Sequence, residues 1–274
     1  GSTYTPVLGN TFTLVDNDGA DAIIGTFAGL PQGGAIPNFL GSGLGAAITY
    51  TGGDGNDVVL TVVAPLADYT ITTNGNAIVI TDISGNSDIM DVSEDDNDIK
   101  FNVNSRTYSL DNGPVLNFPV SVPLDMVTAI TINAAAGDDI IYINEFFQNR
   151  LPNLTVNGGT GDDEVFFEGG IEFAPNANLD VDLQNDDATP GTDRVEVGLN
   201  VELLLSGTGS ATIKVSRDVV LNSSAVIETQ NGNLTVEANQ QATPTTGNFV
   251  GVDVNNSQIR CIGTGVVAIT GKGG

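Results

Sequence analysis

The feature that most constrains the fold is a pattern repeated within residues 129–166. Residues 129–142 read AITINAAAGDDIIY and residues 153–166 read NLTVNGGTGDDEVF, with equivalent positions 24 apart (130 and 154, 139 and 163). A third copy, residues 48–60, reads ITYTGGDGNDVVL. Each copy is a short alternating strand, a glycine-rich corner carrying aspartate, and a second short strand. Such a unit cannot bury an apolar face alone, so the repeat predicts strands stacked turn upon turn.

The remainder of the chain also has the pattern of strands. No segment keeps helical periodicity for more than two turns, and apolar β-branched residues alternate with Thr, Asn, Ser and Asp. The 34 glycines supply corners that need left-handed backbone. We therefore predict an all-β fold built as a parallel β-helix, or β-solenoid.

Residues 69–112 are predicted to be a partly antiparallel insertion in that β-helix. Residues 99–103 lead through Asn104 and Ser105 into residues 106–110, and this spacing is typical of a hairpin. The predicted domains are glycine-rich solenoid rungs in 1–65, a strand and hairpin block in 66–125, and further rungs in 126–274. Residues 191–195 repeat the aspartate corner, and beyond 200 the aspartates become rarer.

Charge limits the partners of the chain. The sequence has 34 acidic and 8 basic residues, a net charge of −26. Nucleic acids and anionic membranes both require a basic surface, so binding to either is not expected. The acidic excess attracts cations or only keeps the protein soluble, and these explanations are compatible. No run approaches the roughly 20 apolar residues of a membrane span, so membrane insertion is not expected.

The sequence lacks the residues of the commonest catalytic and metal sites. There is no His, which removes Ser-His and Cys-His nucleophile arrangements and zinc motifs. The single cysteine, Cys261, cannot form an intramolecular disulfide and is predicted to be a small core residue. We therefore predict that the protein is not an enzyme.

The glycine corners match a nine-residue pattern. Gly158–Phe166 and Gly52–Leu60 fit G-G-x-G-x-D-x-U-x, and Ala134–Tyr142 fits with Ala at both leading positions. This pattern resembles the calcium-binding nonapeptide of the RTX proteins. The resemblance implies a Ca²⁺ cofactor whose ligating carboxylates are Asp57, Asp139 and Asp163, with Asp54, Asn56, Asp138 and Asp162 as neighbours able to assist.

The spacing of these corners departs from that family, in which the nonapeptides follow one another directly. In this chain the copies are at least 24 residues apart. An ion would lie between stacked corners or take half its ligands from water, so its dissociation constant would be on the order of 10⁻⁴–10⁻³ M. The alternative is that Gly-Asp-Asp is only a solvent-exposed turn. Residues 16–27 begin like an EF-hand loop, but Gly19 and Phe27 stand at the wrong positions for that motif.

Longer segments resemble two families of exported bacterial proteins. Residues 12–31 and 50–60 are similar to the final rungs of autotransporter-associated β-strand repeats. Residues 201–271 are similar to filamentous-haemagglutinin-type solenoids. The resemblance implies a right-handed β-helix in a large adhesin or structural fibre, located outside the cell or on the bacterial surface.

Three functions remain open on the sequence. The first is a structural or adhesive segment of a secreted surface protein. The abrupt ends of the chain favour a piece of a longer protein, with neighbouring domains as partners and end-to-end self-association as a second contact. The alternatives are a polysaccharide-processing β-helix enzyme, and a protein-binding module that uses an exposed edge strand.

Overall fold

The structure is a computed structural model, and it describes residues 4–184 and 191–274. The described chain is all-β with parallel sheets, as predicted, and its helical segments are two 3₁₀ turns, Phe39–Gly41 and Leu124–Met126. It forms two compact units, Gly1–Ala67 and Asp68–Gly274.

The first unit is an antiparallel sheet. Its strands are β1 (Thr11–Val15), β2 (Ala35–Ile36), β3 (Gly45–Gly52) and β4 (Asp57–Val63), in the order β1-β4-β3-β2. The rungs predicted for 1–65 are therefore replaced by antiparallel pairing, in which Ile48 lies opposite Leu60. A tight hairpin joins β3 to β4, with Gly52 opposite Asp57, and Gly53 and Gly55 adopt the positive φ that this reversal uses.

The second unit contains twenty-three strands among the described residues. They are β5 (Tyr69–Asn74), β6 (Ala77–Asp82), β7 (Ile89–Asp95), β8 (Asp98–Val103), β9 (Thr107–Leu110), β10 (Val115–Asn117), β11 (Val120–Pro123), β12 (Ala129–Asn133), β13 (Ile140–Ile143), β14 (Phe146–Leu151), β15 (Asn153–Asn157), β16 (Glu164–Phe167), β17 (Ile171–Phe173), β18 (Leu179–Leu183), β19 (Arg194–Val197), β20 (Glu202–Leu205), β21 (Ala211–Val215), β22 (Asp218–Leu221), β23 (Val226–Thr229), β24 (Leu234–Ala238), β25 (Val252–Val254), β26 (Gln258–Cys261) and β27 (Val267–Gly271).

These strands form three sheets. The ten-stranded sheet has the order β10-β9-β5-β6-β12-β15-β18-β21-β24-β27, the eight-stranded sheet β11-β8-β7-β13-β16-β19-β22-β25, and the five-stranded sheet β14-β17-β20-β23-β26. From β12 onward, consecutive strands enter the ten-, eight- and five-stranded sheets in turn, and all pair in parallel. The predicted offset of 24 is confirmed, because Ile130 pairs with Leu154 and Ile141 with Val165.

The predicted antiparallel insertion is confirmed, but its hairpin is wrong. β5 pairs antiparallel with β6, and β7 with β8. The segments on either side of Asn104 and Ser105 do not pair with each other, since β8 lies between β7 and β11 while β9 lies between β5 and β10. The turn at Ser105, which has φ of 61°, instead carries the chain from the eight-stranded to the ten-stranded sheet.

Inward side chains from all three sheets form one apolar core. We call each set of three consecutive strands, one from each sheet, a turn. Each position of a strand stacks on its equivalent in the next turn. The fully buried column in the ten-stranded sheet is Ile80, Ile132, Val156, Val181, Ile213 and Val236. Burial of each such side chain contributes about 1.5–3 kcal/mol. Cys261 lies outside this core and is half-buried, because β26 is an edge strand with a partner on one side only.

Candidate functional site

One corner of the second unit carries a buried row of aspartates. Asp88, Asp139, Asp163 and Asp193 each stand directly before a strand of the eight-stranded sheet, and all four are buried. The backbone N–H of Asp88 donates to Asp139 Oδ1 at 2.8 Å, that of Asp139 to Asp163 Oδ1 at 2.9 Å, and that of Asp163 to Asp193 Oδ1 at 2.8 Å. We call these four residues the charged ladder. It ends at Ser216, whose Oγ accepts from the N–H of Asp193.

A second, exposed row lies beside the charged ladder. The N–H of Asp138 donates to Ser87 Oγ at 2.9 Å, that of Asp162 to Asp138 Oδ1 at 3.0 Å, and that of Thr192 to Asp162 Oδ1 at 2.7 Å. In this row each N–H points to the preceding turn, whereas in the charged ladder it points to the following turn. Neighbouring corners are thus joined in both directions.

Glycine makes this close stacking of corners possible. Gly161 has φ of 136°, and a Cβ atom at that position would collide with the carbonyl oxygen of Gly137 in the preceding turn. The N–H of Gly137 donates to Thr160 O at 2.9 Å, so the backbones themselves are hydrogen-bonded. The glycine of the Gly-Asp-Asp repeat is therefore needed for stacking whether or not the corner binds an ion.

A neutral row performs the same role at another corner. The N–H of Asn178 donates to Asn153 Oδ1, that of Ser210 to Asn178 Oδ1, and that of Asn233 to Ser210 Oγ, at 2.9–3.1 Å. We call Asn153, Asn178, Ser210 and Asn233 the neutral ladder. None of its members is buried.

The first member of the charged ladder belongs to a cluster of three carboxylates. One carboxylate oxygen from each of Asp82, Asp88 and Asp139 lies within 4.8 Å of the other two. Asp82 ends β6, Asp88 precedes β7, and Asp139 precedes β13, so three separate segments contribute. We call these residues the aspartate triad.

Asp88 is fully engaged by its neighbours. Arg106 Nε donates to Asp88 Oδ1 at 2.6 Å and the Tyr69 hydroxyl to Asp88 Oδ2 at 2.9 Å. Burial, followed by the charge of Asp88, raises the pKa of Tyr69, so the phenol remains a donor. Burial alone would lower the pKa of Arg106, but its bond to Asp88 raises it overall.

Asp82 and Asp139 are only partly engaged. Asp82 Oδ1 accepts from the N–H and hydroxyl of Ser84, and Asp139 Oδ1 accepts from the N–H of Asp88. No donor in the described part of the chain meets Oδ2 of either residue with hydrogen-bonding geometry, although the Gly85 amide lies near enough to Asp82 to lower its pKa. Burial raises the pKa of Asp82, and it raises the pKa of Asp139 to about 7, where the charges of Asp163, Asp82 and Asp88 also act.

The predicted site residues fall into two groups. Asp138, Asp139, Asp162 and Asp163 lie at adjacent corners of the second unit, where the inner pair is buried and the outer pair exposed. Asp54, Asn56 and Asp57 lie in the first unit, where Asp57 Oδ1 accepts from the N–H of Asn17. Asn56 donates its amide to the carbonyls of Gly19 and Asp21, and Asp54 is exposed.

Asp82 and Asp88 are site residues that the sequence motifs did not indicate. Asp88 stands before an alternating strand just as Asp139 does, with Ile89 paired to Ile140. The segment before it, Ile83–Ser87, lacks the glycine pattern of the nonapeptide, so the motif gave no signal there. An aspartate placed directly before each buried strand was the signal that could have found it.

The chemistry of the triad is that of hard cations and protons. Carboxylate oxygens are the ligands that Ca²⁺ and Mg²⁺ prefer, and like charges in a buried site otherwise favour protonation. Within residues 4–184 and 191–274, no helix has the length and apolar character needed to cross a bilayer. Comparison with known proteins finds no matching protein-family model, no matching curated protein and no matching solved structure.

Proposed function

We propose that the chain is a structural or adhesive segment of a large secreted or cell-surface bacterial protein, and that Asp68–Gly274 is a right-handed parallel β-helix. The regular passage of consecutive strands through three sheets supports this proposal, since a β-helix places strands in this order. The stacked, in-register columns of the core support it as well.

The observation that carries the proposal is the difference between the two sets of sheet edges. The ten- and eight-stranded sheets begin with the short antiparallel strands β10 and β11, and β11 contains Pro123. Short strands and proline protect an edge from further pairing. At the other side of the three sheets, β25, β26 and β27 each pair on one side only, and their exposed residues include Val254, Val267 and Ile269.

Unpaired apolar edges of this kind accept another strand. In this proposal, the strands that pair with β25, β26 and β27 belong to a neighbouring turn. That turn comes from a further domain of the same protein or from a second copy joined end to end. An extended structural or adhesive surface is the result.

The enzyme alternative has less support, because a β-helix lyase needs a cationic side chain available to an acidic sugar. The arginines of the described chain are instead paired with carboxylates: Arg106 with Asp88, Arg150 with Glu94, Arg194 with Glu196, Arg217 with Asp218 and Arg260 with Glu228. The edge-strand binding module differs from the main proposal only in the partner, which would be an unrelated protein.

Calcium at the corners is part of the same proposal. The nonapeptide resemblance implies ions at the Asp138–Asp139 and Asp162–Asp163 corners, where they would stiffen the stack. Thermal unfolding with millimolar Ca²⁺ against EDTA tests this, with the variant Asp163→Asn as comparison. A calcium-dependent rise in Tm that Asp163→Asn loses supports corner binding, and a rise that the variant keeps contradicts it.

Sedimentation velocity over a range of protein concentrations tests the edge proposal. Wild-type protein should self-associate, and Ile269→Lys, which places a charge on β27, should sediment as a monomer. Leu199→Lys is the matched control, because Leu199 is similarly exposed but lies between β19 and β20. Equal association of wild type and Ile269→Lys would contradict the use of this edge. Turnover of uronate glycans would favour the enzyme instead.

A further inference from the structure

We propose that Asp82, Asp88 and Asp139 bind one calcium ion at the place where the antiparallel strands meet the first repeated corner. The site is distinct from the nonapeptide corners, because two of its three ligands lie outside that motif. It requires neither a β-helix nor self-association, but it shares Asp139 with the calcium corner proposed above, so the variants below are chosen to separate the two sites.

The first support is a pair of buried carboxylate oxygens without donors. Asp82 is 2 % exposed and Asp139 is 3 % exposed, and within residues 4–184 and 191–274 Oδ2 of each has no hydrogen-bond partner. Leaving a buried acceptor unsatisfied costs about 1–3 kcal/mol, and more when it is charged. Both residues belong to the triad, so one cation bound there could satisfy both carboxylates.

The second support is the balance of charge. The triad brings three carboxylates together, and Arg106, at 2.6 Å from Asp88, supplies one positive charge. Two negative charges remain, which a divalent cation balances. Arg106 also lies 4.0 Å from Asp68. Its single positive charge is therefore shared between Asp68 and Asp88, and it does not offset a second charge of the triad.

The third support is the orientation and access of Asp88. Its two oxygens are fixed by Arg106 and Tyr69, in the way that outer hydrogen bonds orient the ligands of metal sites. A surface cleft of about 330 Å³, lined in part by Ser87, Asp88 and Arg106, brings solvent to the Asp88 side of the triad.

The irregular ligand set favours calcium over magnesium. Mg²⁺ demands near-ideal octahedral geometry, whereas Ca²⁺ accepts oxygen ligands in flexible arrangements. The triad oxygens lie within 4.8 Å of one another. Water would complete the six to eight ligands that Ca²⁺ takes.

The test is calorimetric titration of the whole chain with CaCl₂ near neutral pH. Wild-type protein should show one saturable site that Asp82→Asn weakens at least tenfold. Asp82→Asn keeps the shape of the side chain and removes charge from a crowded cluster, so it should fold, which circular dichroism checks. Asp180→Asn is the matched control, because Asp180 is exposed on β18 and its change of charge is the same.

Three outcomes separate the possibilities. Loss of the site in Asp82→Asn, with Asp180→Asn and Asp163→Asn unchanged, supports the triad. Loss in Asp163→Asn with Asp82→Asn unchanged overturns the triad and leaves the corner proposal standing. Weak, non-saturable binding that is equal in all variants overturns both the triad site and the corner sites. In that case a proton shared among the carboxylates, and not a cation, would reduce the negative charge of the triad.

Terbium gives a second readout, since this ion replaces calcium and its emission is excited through a nearby tyrosine. The Tyr69 hydroxyl is bonded to Asp88, so it is the donor expected to act. Tyr69→Phe should reduce the emission several-fold. Emission that persists unchanged in both Tyr69→Phe and Asp82→Asn would overturn the proposed position of the ion.

Discussion

The charged ladder and the neutral ladder perform one backbone task with different side chains. In each, a side-chain oxygen accepts the N–H of a residue in an adjacent turn at about the same distance. The charged ladder is buried, whereas no member of the neutral ladder is. A carboxylate is the more costly group to bury, yet it occupies the buried corner.

The comparison shows that hydrogen bonding alone does not require aspartate. Asparagine and serine join the turns at the neutral ladder, and Ser216 does so where the charged ladder ends. The acidity concentrated at Asp82, Asp88 and Asp139 therefore exceeds what stacking needs. This excess is what the cation proposal explains.

The largest expected difference between the ladders is in pH dependence. The folded-state pKa of Asp139, about 7, lies above its ordinary value of 3.8. Folding therefore favours the protonated form of Asp139. The stability that this preference contributes is complete below the ordinary pKa of 3.8 and is lost as the pH rises to about 7. Relative to Asp139→Asn, the metal-free wild type should lose up to about 4 kcal/mol of unfolding free energy between these two pH values.

Urea denaturation in EDTA at several pH values measures this effect. Asn178→Asp, which places an acid on the exposed neutral ladder, is the control and should show no comparable loss. A difference between wild type and Asp139→Asn that stays constant with pH would contradict the role of burial in raising the pKa of Asp139.

Glycine substitutions should not distinguish the ladders. A Cβ atom on Gly161 would meet the carbonyl of Gly137, and one on Gly232 the carbonyl of Gly209. Gly161→Ala and Gly232→Ala should each destabilise by about 3 kcal/mol in chemical denaturation. Gly170→Ala is the control, because its nearest neighbour, a Phe147 ring carbon, lies at 3.5 Å, so little change is expected.

Truncation within the ladders should follow burial. Asp163→Ala leaves the buried N–H of Asp139 without its acceptor and should cost about 2 kcal/mol. In Asn178→Ala the N–H of Ser210 loses its acceptor, but water can replace it, so the cost should be about 0.5 kcal/mol. Denaturation at about pH 5, where the raised pKa keeps Asp139 mainly protonated, separates this cost from the effect of charge. Equal losses would mean that burial does not set the difference.

The smallest effect is expected in the exposed row beside the charged ladder. Asp138 accepts from the N–H of Asp162 but is exposed, so Asp138→Ala should cost no more than about 0.5 kcal/mol. The loss of stability in Asp138→Ala should therefore match that in Asn178→Ala and not that in Asp163→Ala, although Asp138 and Asp163 are both aspartates. A cost near 2 kcal/mol would show that charge and not burial governs these corners.

The sequence predicts those parts of the fold in which equivalent residues recur. The pairing of Ile130 with Leu154 follows from the repeat, and the burial of Asp139 and Asp163 at adjacent corners agrees with their shared place in it. The antiparallel sheet of the first unit could not be predicted in this way. Strands alternate with a period of two in both parallel and antiparallel sheets, so the copy at 48–60 looks like a rung.

The triad could not be predicted from the sequence for a different reason. Asp82 ends β6 and Asp139 stands directly before β13. Six strands, β7 to β12, lie between them in the chain. Only the return of β12 beside β6, and of β13 beside β7, brings these carboxylates together. No local motif contains information about that return.

Pairing between successive turns also determines how the second unit would respond to force. From β12 onward each strand is hydrogen-bonded only to the strands one turn before and one turn after it. A pull on the last residue would load β27 first, then β26 and β25, and each turn would detach before the next was strained. Such a stack would lengthen in small steps at nearly constant tension, and each step would release about one turn of chain.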